Sequence, residues 1–198
     1  FTSADGLDWV NQGSFSGFPL NSVVFGEGQF VAVGGGGTIF TSPDGENWSS
    51  ADSNNTSFLE DVTFHNGVYV AVGRDFDLDT GVVLTSSTGR EWEVLFNDDL
   101  RLVLSVTSSP DLLAATGLGG IILTSPDAVI WTQRSSGIHE EMHDIALGND
   151  TLAAVGNNGT ILTSSDGVTW LVRESQNTNN LWGIAYGGGL FVTVGDNG

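Results

Sequence analysis

The sequence contains no cysteine and no lysine. Without cysteine, disulfide staples and thiol chemistry are excluded, and composition says little about the redox state of the compartment. Without lysine, the five arginines are the only fixed cations against 24 acidic residues, a formal charge of −19 over 198 residues. A surface this acidic is repelled by phosphate backbones and anionic lipid headgroups, which excludes nucleic acid as a partner. High net charge aids solubility and suits a saline or extracellular setting, where salt screens self-repulsion. The expected location is therefore extracellular or at the cell surface. Proline is scarce, at four residues, and no stretch of 18 consecutive apolar residues exists to cross a bilayer as a helix, so membrane insertion is not expected. No signal-peptide pattern opens the chain. The expectation is a mature product or a fragment, monomeric or part of a larger chain.

What the sequence has instead is a phrase repeated five times. Thr41-Ser42-Pro43-Asp44-Gly45-Glu46-Asn47-Trp48 returns as Thr2 to Trp9, Thr85 to Trp92, Thr124 to Trp131 and Thr163 to Trp170. Thr, Ser and Trp are present in every copy. The acid is Asp5, Asp44, Asp127 and Asp166, with Thr88 in the remaining copy, and Ala128 replaces the glycine once. Successive Trp residues (Trp9, Trp48, Trp92, Trp131, Trp170) lie 39, 44, 39 and 39 residues apart. A period near 40 with one Trp per unit signals a β-propeller.

Strand patterns fill each period. Leu20 to Phe25, Gln29 to Val33 and Thr38 to Ser42 alternate with Gly-rich turns, and Asp44-Gly45 marks the next turn before a fourth strand at Trp48. Small residues recur in the second strand at Ala32, Ala71, Ala115 and Ala154, as sheets packed face to face require. The first strand carries a small or acidic column, Ser22, Asp61, Ser105, Asp144 and Gly183, placed near a central channel. The expected fold is all-β: a five-bladed propeller with four antiparallel strands per blade. Its blades are 15–53, 54–97, 98–136, 137–175, and 176–198 completed by 1–14. In that reading the N-terminal segment supplies the outer strands that the last repeat lacks.

The repeated phrase resembles the Asp-box, or BNR, repeat of sialidase-type and photosystem II assembly-factor propellers, whose pattern is Ser-x-Asp-x-Gly-x-Thr-Trp. Gly45 and Trp48 match it, while Asp44 stands one residue nearer the Trp. The resemblance implies a turn between third and fourth strands. There Asp accepts backbone N–H groups, Gly takes positive φ and Trp packs between blades, so Asp5, Asp44, Asp127, Asp166 and the five Trp read as structural.

Several constellations could carry chemistry. His139-Glu140-Glu141-Met142-His143 matches the H-E-x-x-H zinc signature, but that signature needs a helix, and repeat alignment places His143 in a strand. Asp75, Asp77 and Asp79, followed by Gly81, make a candidate Ca²⁺ loop, with a solvated acidic hairpin as the alternative. Calcium is the one cofactor considered. A sialidase-like site needs several Arg converging on one channel, which Arg74, Arg90, Arg101, Arg134 and Arg173 are not spaced to supply; Arg134 and Arg173 belong on outer strands. Candidate ligand-binding residues are Trp182, His139, His143, Phe18, Asp61 and Asp144, with Phe15, Phe76 and Phe96 on connecting loops. Trp182 alone among the six Trp lies outside the repeated phrase, in a column otherwise filled by Asn21, Glu60, Leu104 and His143. The reading is a non-catalytic module binding carbohydrate or protein. A glycoside-cleaving enzyme and a structural interaction scaffold are the alternatives.

Overall fold

The computed structural model describes residues 1–13, 17–97 and 103–197. Among them, four sheets of four strands and one of two follow one another along the chain. The first holds β1 (Leu20–Gly26), β2 (Gln29–Gly34), β3 (Ile39–Ser42) and β4 (Ser49–Ala51). The second holds β5 (Phe58–His65), β6 (Val68–Asp75), β7 (Thr80–Ser86) and β8 (Glu93–Asn97). The third holds β9 (Val103–Ser108), β10 (Leu113–Gly117), β11 (Ile122–Ser125) and β12 (Thr132–Arg134). The fourth holds β13 (Met142–Gly148), β14 (Thr151–Gly156), β15 (Ile161–Ser164) and β16 (Leu171–Arg173), and the fifth β17 (Leu181–Gly187) and β18 (Leu190–Gly195). Each is an antiparallel meander, which short turns allow and which needs no crossover.

Both faces of the middle sheets are buried, so their strands read as apolar runs. One core joins Val31, Val33 and Ile39 of the first sheet to Leu59, Val62, Leu84 and Trp92 of the second. The next joins Val70, Val72 and Val83 to Val103, Val106, Leu123 and Trp131. The third joins Ala114 and Ile122 to Met142, Ile145, Leu162 and Trp170. Trp92, Trp131 and Trp170 thus pack back on the preceding sheet. The first strands β1, β5, β9, β13 and β17 lie side by side along the inside of the arc.

The repeated phrase forms the turn expected of it. Ser42 Oγ accepts the Gly45 N–H at 2.8 Å, while Asp44 Oδ1 accepts the N–H groups of Glu46 at 2.9 Å and Asn47 at 2.7 Å. Gly45 sits at φ 78°, and the Trp48 indole donates to the Gly45 carbonyl at 2.9 Å. The copies at Asp5, Asp127 and Asp166 repeat the carboxylate contacts. In the copy at Thr88 the hydroxyl reaches the same two N–H groups only at 3.3 and 3.5 Å. These turns pull the carboxyls down from their ordinary value. For Asp44 the Asn47 side chain leads, and for Asp166, lowered to about 2, the Thr169 N–H.

The N-terminal segment does not complete the last sheet. Thr2 bridges Val10 in a hairpin of its own, Thr2 faces Gly45, and β18 pairs with β17 alone among the described residues. The physical reason is that Ala32 and Trp48 of the first sheet offer an apolar surface that this hairpin covers in part.

Candidate functional site

In every sheet the ladder between first and second strands slips by one residue near the start of the first strand. The slip falls between Leu20 and Ser22, Leu59 and Asp61, Met142 and Asp144, and Leu181 and Gly183, and in the third sheet the register shifts between Thr116 and Gly117. The extra residue is a β-bulge, which re-aims a side chain out of the ladder. Asn21, Glu60, Leu104, His143 and Trp182 occupy this position, so the column picked out in sequence is a row of bulges at one end of the inner strands. A glycine of each second strand stands opposite the residue before the bulge, where the backbones draw together. A Cβ on Gly34, Gly73, Gly156 or Gly195 would meet the carbonyl oxygen of Pro19, Phe58, Glu141 or Asn180 at 2.0 to 2.1 Å.

The structure brings His143 and Trp182 together. Their rings stack at 4.2 Å between centroids, tilted by 31°. His143 Nε2 meets Asn157 Oδ1 at 2.7 Å, and the Trp182 indole donates to Asp196 Oδ1 at 2.7 Å. Trp182 nonetheless keeps 51% of its surface exposed. Glu141 accepts from Asn157 at 3.2 Å and adds a carboxylate beside the pair. Further along the bulge row, burial raises the Glu60 carboxyl and the neighbouring Asp61 raises it further.

A second aromatic patch lies at the same end of the inner strands. Phe18 rests against the turn at Gly35–Gly37, Phe58 meets Phe76 edge-on at 6.2 Å, and Arg74 lies 5.1 Å over the Phe76 ring. Phe18 and Phe76 are 58% and 63% exposed. Phe15 lies outside the described residues, and Phe96 contributes to β8.

Asp61 and Asp144 stand on inner strands as expected, but their oxygens are engaged. Asp61 accepts from Ser22 Oγ at 2.5 Å, Ser105 Oγ at 2.9 Å and the Val62 and Val106 N–H groups at 2.8 Å. Asp144 accepts the Ile145 and Ile184 N–H groups at 2.8 Å, and its Oδ1 lies 2.9 Å from the same Ser105 Oγ, whose one proton the two carboxylates share. The column Ser22, Asp61, Ser105, Asp144 is a belt stitching successive sheets together. Asp61 retains some exposed surface, yet protein surrounds it closely enough that burial raises its carboxyl despite these donors.

The remaining candidates do not assemble. His139 is exposed in an irregular segment before β13, and His143 lies within that strand, so H-E-x-x-H has no helical face. In the acidic hairpin, Asp75 Oδ1 accepts the Asp77 and Leu78 N–H groups at 3.0 and 2.9 Å and Asp75 Oδ2 the Ser57 hydroxyl at 3.0 Å. Asp79 pairs with Arg74 at 2.6 Å. The acids shape the turn instead of facing a common point, and no cluster of three or more His, Cys, Asp or Glu among the described residues could hold a metal ion. Arg134 and Arg173 donate to Thr124 and Thr163 at 2.9 and 2.7 Å from outer strands, and Arg101 lies outside the described residues. No arginine triad forms among those described.

No protein-family model matches the chain, and no curated protein does. Solved structures do. YCF48 from Cyanidioschyzon merolae superposes with a TM-score of 0.64 at 18% identity, over 89% of this chain and 66% of that one. YCF48 bound to D1 peptide gives 0.69 at 20% identity, over 96% and 66%. Virginiamycin B lyase from Staphylococcus aureus gives 0.72 at 12% identity, over 88% and 62%. A nidogen/laminin complex gives 0.68 at 13%, over 89% and 72%. The fold is a β-propeller. At these identities the likeness speaks for the fold alone, and the chain spans about two thirds of the YCF48 chains. Within the propeller, the bulge row and the aromatic patch share the end where blades connect and where second strands pass to third. Sequence reasoning missed the bulges, although the recurring Gly34, Gly73, Gly117, Gly156 and Gly195 carry their signal.

Proposed function

We propose that this propeller is a non-catalytic binding module that holds a segment of a protein partner across the end bearing its inner-strand bulges. The observation that carries the reading is Trp182. It is half exposed, stacked on His143 and oriented by Asp196, on a blade edge where burial is the ordinary fate of so large an apolar surface. Asp196 and Glu141 beside it, and Glu60 further along the bulge row, favour a partner bringing amide or cationic groups. Two of the superposed structures are complexes, YCF48 with D1 peptide and nidogen with laminin, which is consistent with this use of the fold.

A second reading, a carbohydrate ligand, is favoured by the same indole. A flat aromatic face flanked by Asp196 and Asn157 suits stacking on a sugar ring. Catalysis finds less support, because the inner carboxylates are spent on the belt. In this proposal the module works outside the cell or at its surface, in keeping with a charge of −19.

Peptide and glycan arrays probed with the intact protein and with Trp182→Ala test the reading. Selective binding to one array, lost in the variant while its circular dichroism is unchanged, is the expected result. Silence on both arrays from folded protein, or binding that survives the substitution, overturns it.

A further inference from the structure

The belt along the inner strands has one contact more than it has protons. Asp61 Oδ1 meets Ser22 Oγ at 2.5 Å and the Val62 N–H at 2.8 Å, and Asp61 Oδ2 meets Ser105 Oγ at 2.9 Å and the Val106 N–H at 2.8 Å. Asp144 Oδ1 meets the same Ser105 Oγ at 2.9 Å and the Ile145 N–H at 2.8 Å, and its Oδ2 meets the Ile184 N–H at 2.8 Å. Against these seven contacts stand four backbone amides and two hydroxyls, six protons in all. An ionised carboxylate accepts and donates nothing. With both acids ionised, Ser105 turns its proton to one of them and a lone pair to the other, oxygen against oxygen at hydrogen-bond distance. Ser105 is 4% exposed, so little solvent screens that repulsion. A seventh proton removes the conflict.

The surroundings say where that proton sits. Placed on Asp61 Oδ2, it is donated to Ser105 Oγ, Ser105 gives its own proton to Asp144 Oδ1, and every amide keeps its acceptor. Burial holds the Asp61 carboxyl above its ordinary value in spite of its donors, and the Glu60 carboxylate stands beside it. No cation offsets these charges. β1, β2, β9, β10 and β14 carry no titratable side chain, β5 adds Glu60, and β13 adds His143, which is turned to Asn157 and Trp182. His65, Tyr69 and Tyr186 lie toward the other ends of β5, β6 and β17, and Arg74 and Asp75 are engaged with Asp79 and Ser57 at the acidic hairpin.

We infer that Asp61, Ser105 and Asp144 form a proton relay across the second, third and fourth blades, with Asp61 as the acid, Ser105 accepting and donating at once, and Asp144 as the ionised acceptor. The relay is a pH-sensitive clasp. While its proton is present, one run of hydrogen bonds ties β5 to β9 and β9 to β13. Once the proton leaves, the Ser105 hydroxyl holds one neighbour only, and two like charges face each other across it. The inner strands of the second and fourth blades then lose their common link. A raised acid sets the sign: the clasp is closed below the folded value of Asp61 and opens as pH rises through it.

The test is a titration from pH 3 to pH 9 by nuclear magnetic resonance, on the intact protein carrying carbon-13 at its aspartate carboxyls, in the wild type and in Asp144→Asn. In the wild type the Asp61 signal is expected to step at least about one unit above the ordinary value near 3.9. The Asp144 signal should carry a step at the same pH, because the two report one proton. In Asp144→Asn, checked for folding by circular dichroism, the Asp61 step should move down by at least about half a unit, since the like charge is gone and Ser105 is free to donate to Asp61 alone. An Asp61 raised by burial and nothing else keeps its step in that variant, and this outcome overturns the relay. A wild-type Asp61 step at or below the ordinary value overturns it without any variant.

Discussion

The Asp61 carboxylate accepts the backbone N–H of Val106, one blade further on, at 2.8 Å. Asp144 repeats the contact with Ile184 at 2.8 Å, and Ser105 touches both carboxylates at 2.9 Å. Elsewhere the contact between blades is largely apolar, with side-chain hydrogen bonds such as Asn21 to the Leu59 carbonyl and Tyr69 to the Gly26 carbonyl. The belt fixes the register of one inner strand against the next.

Removing Asp61 should therefore cost more than its modest size suggests. Asp61→Ala strands the Val106 N–H and frees the Ser22 hydroxyl, leaving Ser105 to Asp144 alone, at a cost of about 2–4 kcal/mol. Urea unfolding measures it, and a loss below ~1 kcal/mol contradicts the role of the belt.

Stability should peak at mildly acidic pH. Burial raises Asp61 and Glu60, so the stability tied to their protonation is present below their unfolded values near 3.8 and 4.5 and is lost as pH rises through the folded ones. Asp5, Asp44, Asp127 and Asp166 are lowered, so their contribution is present above 3.8 and is lost as pH falls through the folded values, about 2 for Asp166. Melting temperatures recorded from pH 2 to 8, in enough salt to screen net charge, should fall as pH rises through the raised values of Asp61 and Glu60 and fall again as pH drops through the lowered values of the turn aspartates. A steady climb from pH 4 to pH 8 contradicts this assignment.

Thr88→Asp should stabilise the second blade. The Thr88 hydroxyl reaches the Arg90 and Glu91 N–H groups at 3.3 and 3.5 Å, where the aspartates of other copies reach theirs at 2.7 to 3.0 Å. A carboxylate there should add about 1 kcal/mol, read as a higher urea midpoint. An unchanged or lower midpoint shows that Thr88 is not a weak copy of the motif acid.

Gly156→Ala tests the bulges. Its φ of −165° is open to any residue, but a Cβ would meet the Glu141 carbonyl oxygen at 2.0 Å. The backbone must part, displacing His143 from Trp182, at a cost of about 2 kcal/mol or more. Tryptophan fluorescence and thermal melting should both change, and a silent substitution contradicts the close approach.

Calcium should leave the fold unmoved. Asp75 is committed to the Asp77 and Leu78 N–H groups and Asp79 to Arg74, so melting curves in Ca²⁺ and in EDTA should superimpose. A rise in Ca²⁺ that vanishes in Asp77→Asn restores the loop as a cation site.

The propeller was legible because its period is carried by residues with one physical job. Trp92, Trp131 and Trp170 have to be buried, and Asp44-Gly45 has to turn. The bulge row was visible only as an odd column, since a bulge shows in hydrogen bonding and not in side-chain type. Asp61 and Asp144 were placed on the right strands with the wrong employment, because a carboxylate reads alike whether it faces a ligand or a neighbouring blade. The alternating acids from Asp75 to Asp79 misled for a related reason: an aspartate that caps its own turn and one that grips a cation have the same spacing.

Each motif indole donates to a carbonyl three residues back within its own turn, never to another repeat. The polar needs of the largest side chain are met before the blade finds its neighbours. A unit of 39 residues can thus be copied, deleted or moved along a gene without orphaning a donor, and the lineage of such a protein is free to change its blade number by simple duplication.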